Sequence, residues 1–118
     1  MYSDKVLGHF HHPRNVGEIE NATTVVEVTN PVCGDVMKLG VVVRQGKIAE
    51  VKFKVAGCVP AVACGSWLTE QLAGKFLSDL SPLPPEEIET ALDGLPQASQ
   101  DAAVLASAVL KRLLEKVR

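Results

Sequence analysis

A chain of 118 residues in which 47% are hydrophobic is the size of one domain, spanning 1–118, and can bury a single core without disulfide staples. Twelve Lys and Arg stand against fourteen Asp and Glu, a formal charge of -2, and Trp67, Tyr2 and three phenylalanines are the only aromatics, so a nucleic-acid footprint is excluded. Charges interrupt every apolar run short of a membrane span, and no cationic stretch followed by an apolar core opens the chain, so the expectation is a soluble protein of a reducing cytoplasm whose three cysteines serve metal or thiol chemistry.

Asp4 to His11 predicts a short amphipathic helix, with Ser3 as N-cap and Val6, Leu7 and Phe10 on one side. His12-Pro13 ends it, and Pro13-Arg14-Asn15-Val16-Gly17 has loop chemistry. His9, His11 and His12 lack the spacing of helical metal ligands and read as solvated or capping histidines. Thr23 to Thr29 is rich in valine and threonine and predicts a strand. The loop Asn30-Pro31-Val32-Cys33-Gly34-Asp35 follows, then a strand from Val36 to Val43, a turn at Gln45-Gly46 and a returning strand from Ile48 to Ala56.

Gly57 turns the chain out of that strand, and Pro60, tolerated at the first helical position, opens a helix running to about Lys75. Ala61, Cys64, Leu68 and Leu72 form one apolar stripe on it. Cys58 lies just outside the helix N-terminus, where the dipole and unpaired amides favour a thiolate. Glu86 to Leu92 predicts a short helix ended by Asp93-Gly94-Leu95-Pro96. A last helix runs from about Ser99 to Val117 with Ala102, Leu105, Val109 and Leu113 inward. The fold class is α+β, a three-stranded antiparallel sheet packed against helices.

The topology carries the functional reading. The loop before the second strand and the end of the third lie at the same end of the sheet, opposite the hairpin turn, so Cys33 and Cys58 are predicted to be spatial neighbours. Gly34 lets the backbone turn tightly between Cys33 and Asp35. Two thiolates and a carboxylate placed so can bind a borderline-soft cation such as zinc or ferrous iron. Two buried thiols beside a turn aspartate would need no ligand at all, and spacing alone leaves both readings open.

The chain also resembles, over nearly its whole length, the U-type iron-sulfur cluster assembly scaffolds, the IscU/NifU N-terminal family. The resemblance is carried by Tyr2-Ser3-Asp4-Lys5-Val6, His9-Phe10 and Pro13-Arg14-Asn15-Val16-Gly17, by Cys33-Gly34-Asp35-Val36-Met37-Lys38-Leu39, and by Phe53-Lys54, Gly57-Cys58 and Thr69-Glu70. It implies a scaffold, not an enzyme with turnover, on which a [2Fe-2S] cluster is built from iron and from sulfur delivered by a cysteine desulfurase, then handed to apo iron-sulfur proteins. Cys33 and Cys58 match the family's cluster ligands, and Asp35 matches the aspartate that tunes cluster lability and can bind metal.

The departures are as specific as the matches. The family's Leu-Pro-Pro-Val-Lys segment, recognised by an ATPase chaperone, reads Leu95-Pro96-Gln97-Ala98-Ser99, so the resemblance does not carry chaperone binding over. The family's histidine and third ligand cysteine fall on Asp101 and Ala102. Asp101 offers an oxygen in the cysteine's stead, giving a metal set of Cys33, Asp35, Cys58 and Asp101, harder than a three-thiolate site. Cys64 is the other substitute, although its stripe directs it to the core and six helical residues place it about 9 Å along from the corner. Self-association, with a second subunit donating the missing ligand, is a further route. Two other functions fit the same residues: a zinc-binding sulfur acceptor using Cys58, and a divergent paralogue that binds a desulfurase without carrying a cluster.

Overall fold

The computed structural model describes residues 1–117. Helix α1 spans Asp4–His11, and Ser3 caps it, its hydroxyl accepting from the Val6 amide at 3.1 Å. Strands β1 (Thr24–Thr29), β2 (Val36–Arg44) and β3 (Lys47–Ala56) form one antiparallel sheet in the order β1-β2-β3. Gln45 and Gly46 both take positive φ, 53° and 74°, the twist that joins two strands by a two-residue turn. Helices α2 (Val59–Leu72), α3 (Pro85–Ala91) and α4 (Gln100–Val117) follow, with single 3₁₀ turns at Leu77–Asp79 and Gln97–Ser99.

One face of the sheet supplies the core. Met37, Leu39 and Val41 of β2 alternate inward, joined by Val26 of β1 and by Ile48, Val51 and Phe53 of β3. The three-residue step from Ile48 to Val51 breaks the alternation because the register shifts between Val42 and Val43, leaving Ala49 without a partner on β2. A bulge of this kind returns the following residues to the correct face. Helix α4 lays Leu105, Val109, Leu110 and Leu113 against this layer.

Helix α2 departs from a one-stripe amphipathic helix. Beyond Ala61, Cys64, Leu68 and Leu72 it also buries Ala63, Gly65, Ser66 and Thr69, because α1 and α4 as well as β3 pack on it. It ends at Leu72 rather than near Lys75, since residues 74–77 turn back onto β3: Gly74 donates to the Ile48 carbonyl at 2.9 Å, Ile48 donates to the Lys75 carbonyl at 2.9 Å and Leu77 donates to the Gly46 carbonyl at 2.8 Å. At the other end of β3, Phe53 donates to the Asn15 carbonyl and Gly17 donates to the Phe53 carbonyl, both at 2.9 Å. The β3 edge of the sheet is thereby paired at both ends with the chain's own loops.

Candidate metal and cluster site

Register builds the site. Thr29 pairs with Val36 and Val36 pairs with Ala56, so the residues just beyond these pairs, Cys33 to Asp35 on one side and Gly57 and Cys58 on the other, meet at one end of the sheet. The loop between β1 and β2 is held by its own backbone: Asn30 donates to the Asp35 carbonyl and Gly34 donates to the Asn30 carbonyl, both at 2.8 Å. Gly34 has φ +79°, the left-handed conformation that its place between Cys33 and Asp35 requires.

Asp35 and Cys58 touch. The Cys58 thiol lies 3.2 Å from Asp35 Oδ2, and the Cys58 amide donates to the same oxygen at 3.4 Å. Gly57 makes the approach possible in a way its sequence position does not show. Its φ is not left-handed, but a Cβ there would lie 2.6 Å from the Asp35 Cγ and 2.7 Å from Oδ2. The glycine is a space for a carboxylate more than a turn.

Cys58 is the N-cap residue of α2, as its position before Pro60 predicts. Its thiol nevertheless titrates above the ordinary value, against the expectation of a favoured thiolate. Partial burial of the sulfur is the largest cause, the neighbouring Asp35 carboxylate adds to it, and the Ala61 and Cys58 amides pull the other way without prevailing. A cation bound between the sulfur and the carboxylate would reverse that balance, since both groups are stabilised when ionised beside a positive charge.

Cys33 is exposed on its turn. Asp101 begins α4 and is tied to this end of the sheet through Asn30, whose side-chain amide donates to the Asp101 carbonyl at 3.4 Å while its oxygen accepts from the Val32 amide at 2.9 Å. The neighbouring Ala102 is 4% exposed and belongs to the core. The structure therefore brings Asp35 and Cys58 into contact and gathers the Cys33 loop and the α4 start at the same end. Among the described residues it does not converge three His, Cys, Asp or Glu side chains into a finished metal cage. The donor set suits iron or zinc in softness and falls short of four protein ligands. Cys64 is buried, and that burial, with Cys58 and Glu89 adding to it, pushes its thiol up to about 12.

A second polar cluster escaped the sequence reading. His9 does not stand in solvent: its Nδ1 lies 2.7 Å from Ser66 Oγ, which also accepts from the Arg14 amide at 2.9 Å. His9 Nε2 lies 3.5 Å and Arg14 Nε 3.7 Å from Glu70. Asn15 donates to Thr69 Oγ1 at 3.1 Å, and the Thr69 hydroxyl donates to the Ser66 carbonyl at 2.7 Å. These contacts dock the 13–17 loop on α2. Two hydroxyl residues three apart on one face of α2, Ser66 and Thr69, were the available signal.

Residues 1–117 match the model of the NifU-like N terminal domain. The chain is 41% identical over 114 residues to the iron-sulfur cluster assembly scaffold protein IscU 1 of Archaeoglobus fulgidus, covering 97% of this chain and 74% of that one. It is 38% identical over 114 residues to the scaffold protein IscU of Escherichia coli K12, covering 93% and 88%. The crystal structure of a nitrogen-fixing NifU-like protein (N-terminal) from Brucella abortus superposes with a TM-score of 0.74 at 14% identity, covering 98% of this chain and 95% of that one, which speaks for the fold. With a family model matched over nearly every residue and relatives well above 30% identity, the chain belongs to the NifU-like N-terminal domain family.

Proposed function

We propose that this chain serves iron-sulfur cluster assembly as a scaffold or carrier, taking iron or a [2Fe-2S] cluster as cargo on the Cys33 and Cys58 thiolates and the Asp35 carboxylate. The observation that carries the reading is the 3.2 Å contact between Cys58 and Asp35, at the sheet end that also holds the Cys33 loop. A thiol and a carboxylate in contact on an exposed corner are matched to a metal and to partners that must reach it. Sulfur would come from a cysteine desulfurase, and the cargo would pass to apo iron-sulfur proteins. Ala102, buried where the resemblance places a third cysteine, leaves one coordination position to Asp101, to a second subunit or to a small external ligand. That open position suits transient holding better than permanent storage.

The test is the iron, zinc and acid-labile sulfide content after anaerobic reconstitution of the wild-type chain and of Cys33→Ala, Cys58→Ala, Cys64→Ala and Ala102→Cys. The expected result is iron and sulfide in the wild type, lost with Cys33 or Cys58 and kept with Cys64→Ala. Persulfide on Cys58 with stoichiometric zinc would replace this reading by that of a sulfur acceptor. A cluster held only by Ala102→Cys would identify a paralogue that has given up cluster carriage.

A further inference from the structure

A sizeable cavity lies away from the cysteines. It is a groove of about 800 Å³ between the second half of α2 and α3, floored by Leu110 of α4. Trp67 lines it nine residues along α2 from Cys58, about 14 Å up the helix. Leu72, Leu80 and Leu83 give it an apolar wall. That wall is already built: the Ser107 hydroxyl donates to the Leu83 carbonyl at 2.6 Å, and Pro82, Pro84 and Pro85 restrict the backbone around it. Preformed apolar concavities with a few polar groups at the margin are where ligands and partner side chains seat.

The margin is acidic. Asp79, Glu86 and Glu87 stand around the groove, and none of the three has an ion-pair partner among the described residues. The one cation on the rim, Lys75, is turned back onto its own helix, its ammonium donating to the Gln71 carbonyl at 3.1 Å. A partner that fills the groove must place apolar side chains on Leu72, Leu83 and Trp67 and meet three unpaired carboxylates.

We propose that this groove is a docking site for a cationic amphipathic helix of another protein, whose apolar face enters between α2 and α3 and whose flanking Lys or Arg side chains pair with Asp79, Glu86 and Glu87. Two features of the groove favour that occupant. Helix-in-groove recognition uses anchors one turn apart on one apolar stripe, which a trough between two helices accepts. The half-buried Trp67 indole offers both a hydrophobic contact and a face for an incoming cation. The proposal is independent of cluster carriage, because no residue of the groove belongs to the cysteine site.

Trp67 is the sole tryptophan and therefore a built-in reporter. The probes are an N-acetylated, C-amidated peptide of about 15 residues with leucines at helical spacing and lysines elsewhere, and a twin with glutamate for every lysine. The lysine peptide is expected to shift Trp67 emission to the blue saturably, to weaken as salt rises, and to bind at least about tenfold tighter than its twin. Glu86→Lys combined with Glu87→Lys should invert the preference. The neutral set Asp79→Asn, Glu86→Gln and Glu87→Gln should abolish it, which keeps the test decisive if the reversed variant does not fold. Cys33→Ala with Cys58→Ala should leave binding unchanged. Equal binding of both peptides, an unaltered preference in both groove variants, or a groove already closed by a second copy in sedimentation would each overturn the proposal.

Discussion

The two parts of α2 solve opposite problems with similar residues. At its N-terminal corner a cysteine, a glycine and an aspartate meet with few hydrogen bonds and little cover, and Cys58 and Cys33 are exposed. Two turns later Gly65, Ser66 and Thr69 are buried and every polar side chain is answered. In both places a glycine makes room for a neighbour: Gly57 for the Asp35 carboxylate, Gly65 for the Phe53 ring, whose Cε2 would lie 2.5 Å from an added Cβ. The difference lies in accessibility. An exposed thiol and carboxylate that meet only each other are open to a ligand, whereas the buried cluster has its polar groups turned inward and holds the fold.

The largest effect that separates the two parts is thiol reactivity. Cys64, with its pKa pushed up to about 12 and no exposed surface, should resist iodoacetamide at pH 8, where only about one in 10⁴ of such thiols is ionised. Mass spectrometry of the native protein should find Cys33 and Cys58 modified and Cys64 untouched until denaturant is added. Native labelling of Cys64 at a rate near that of Cys58 would place it at the corner and reopen its candidacy as a ligand.

Next in size is Gly65→Ala. The new methyl meets a buried ring rather than a movable side-chain end, and the expected cost is about 2 kcal/mol, or roughly 5–10 °C in Tm. A Tm within 1–2 °C of wild type, in the ordinary scatter of surface substitutions, would show that the helix and sheet are packed less tightly there. Gly57→Ala should do the reverse. Its stability cost stays below about 1 kcal/mol because Asp35 sits at the edge of the structure and can swing aside. The Cys58 thiol, however, should titrate lower once the carboxylate that raises it has moved. Asp35→Asn should lower it too. An unchanged alkylation profile against pH in both variants would remove the Cys58–Asp35 contact from the account.

Much of this arrangement was legible from the residues. Valine and threonine content marked the first strand, the Gln45-Gly46 turn set the hairpin of the other two, Ser3 and Pro60 marked two helix starts, and antiparallel connection put Cys33 and Cys58 at one end because such topology leaves no other choice. What stayed hidden depends on contacts far apart in the chain. Nothing local to Gly57 or Gly65 announces the carboxylate or the ring that each accommodates. The stripe on α2 understated its burial because a helix covered by α1 and α4 as well as a sheet needs small residues, not a second apolar face. The Cys58 thiol rose where the helix terminus alone predicted a fall, since covering the sulfur and setting Asp35 against it outweigh two amides.

The smallest effect tests the saturated cluster by pH. Burial holds the His9 imidazole below its usual 6.5, Glu70 pulls it back up and Arg14 lowers it further. The net direction is down, so the unfolded chain binds the proton more readily than the folded one. Stability contributed by neutral His9 is therefore complete above pH 6.5 and is lost as pH falls through the lower folded value. The geometry agrees with a neutral ring, since Ser66 Oγ takes the Arg14 amide as donor and has its own proton for His9 Nδ1. Urea melts between pH 7 and 5 should show a shallow decline that Glu70→Gln steepens, because the one group favouring the charged ring is gone. His9→Asn should flatten the decline while lowering stability at pH 7. If His9→Asn instead keeps the full decline, other groups carry it, and the cluster is anchored by Ser66 and Thr69 without help from the histidine.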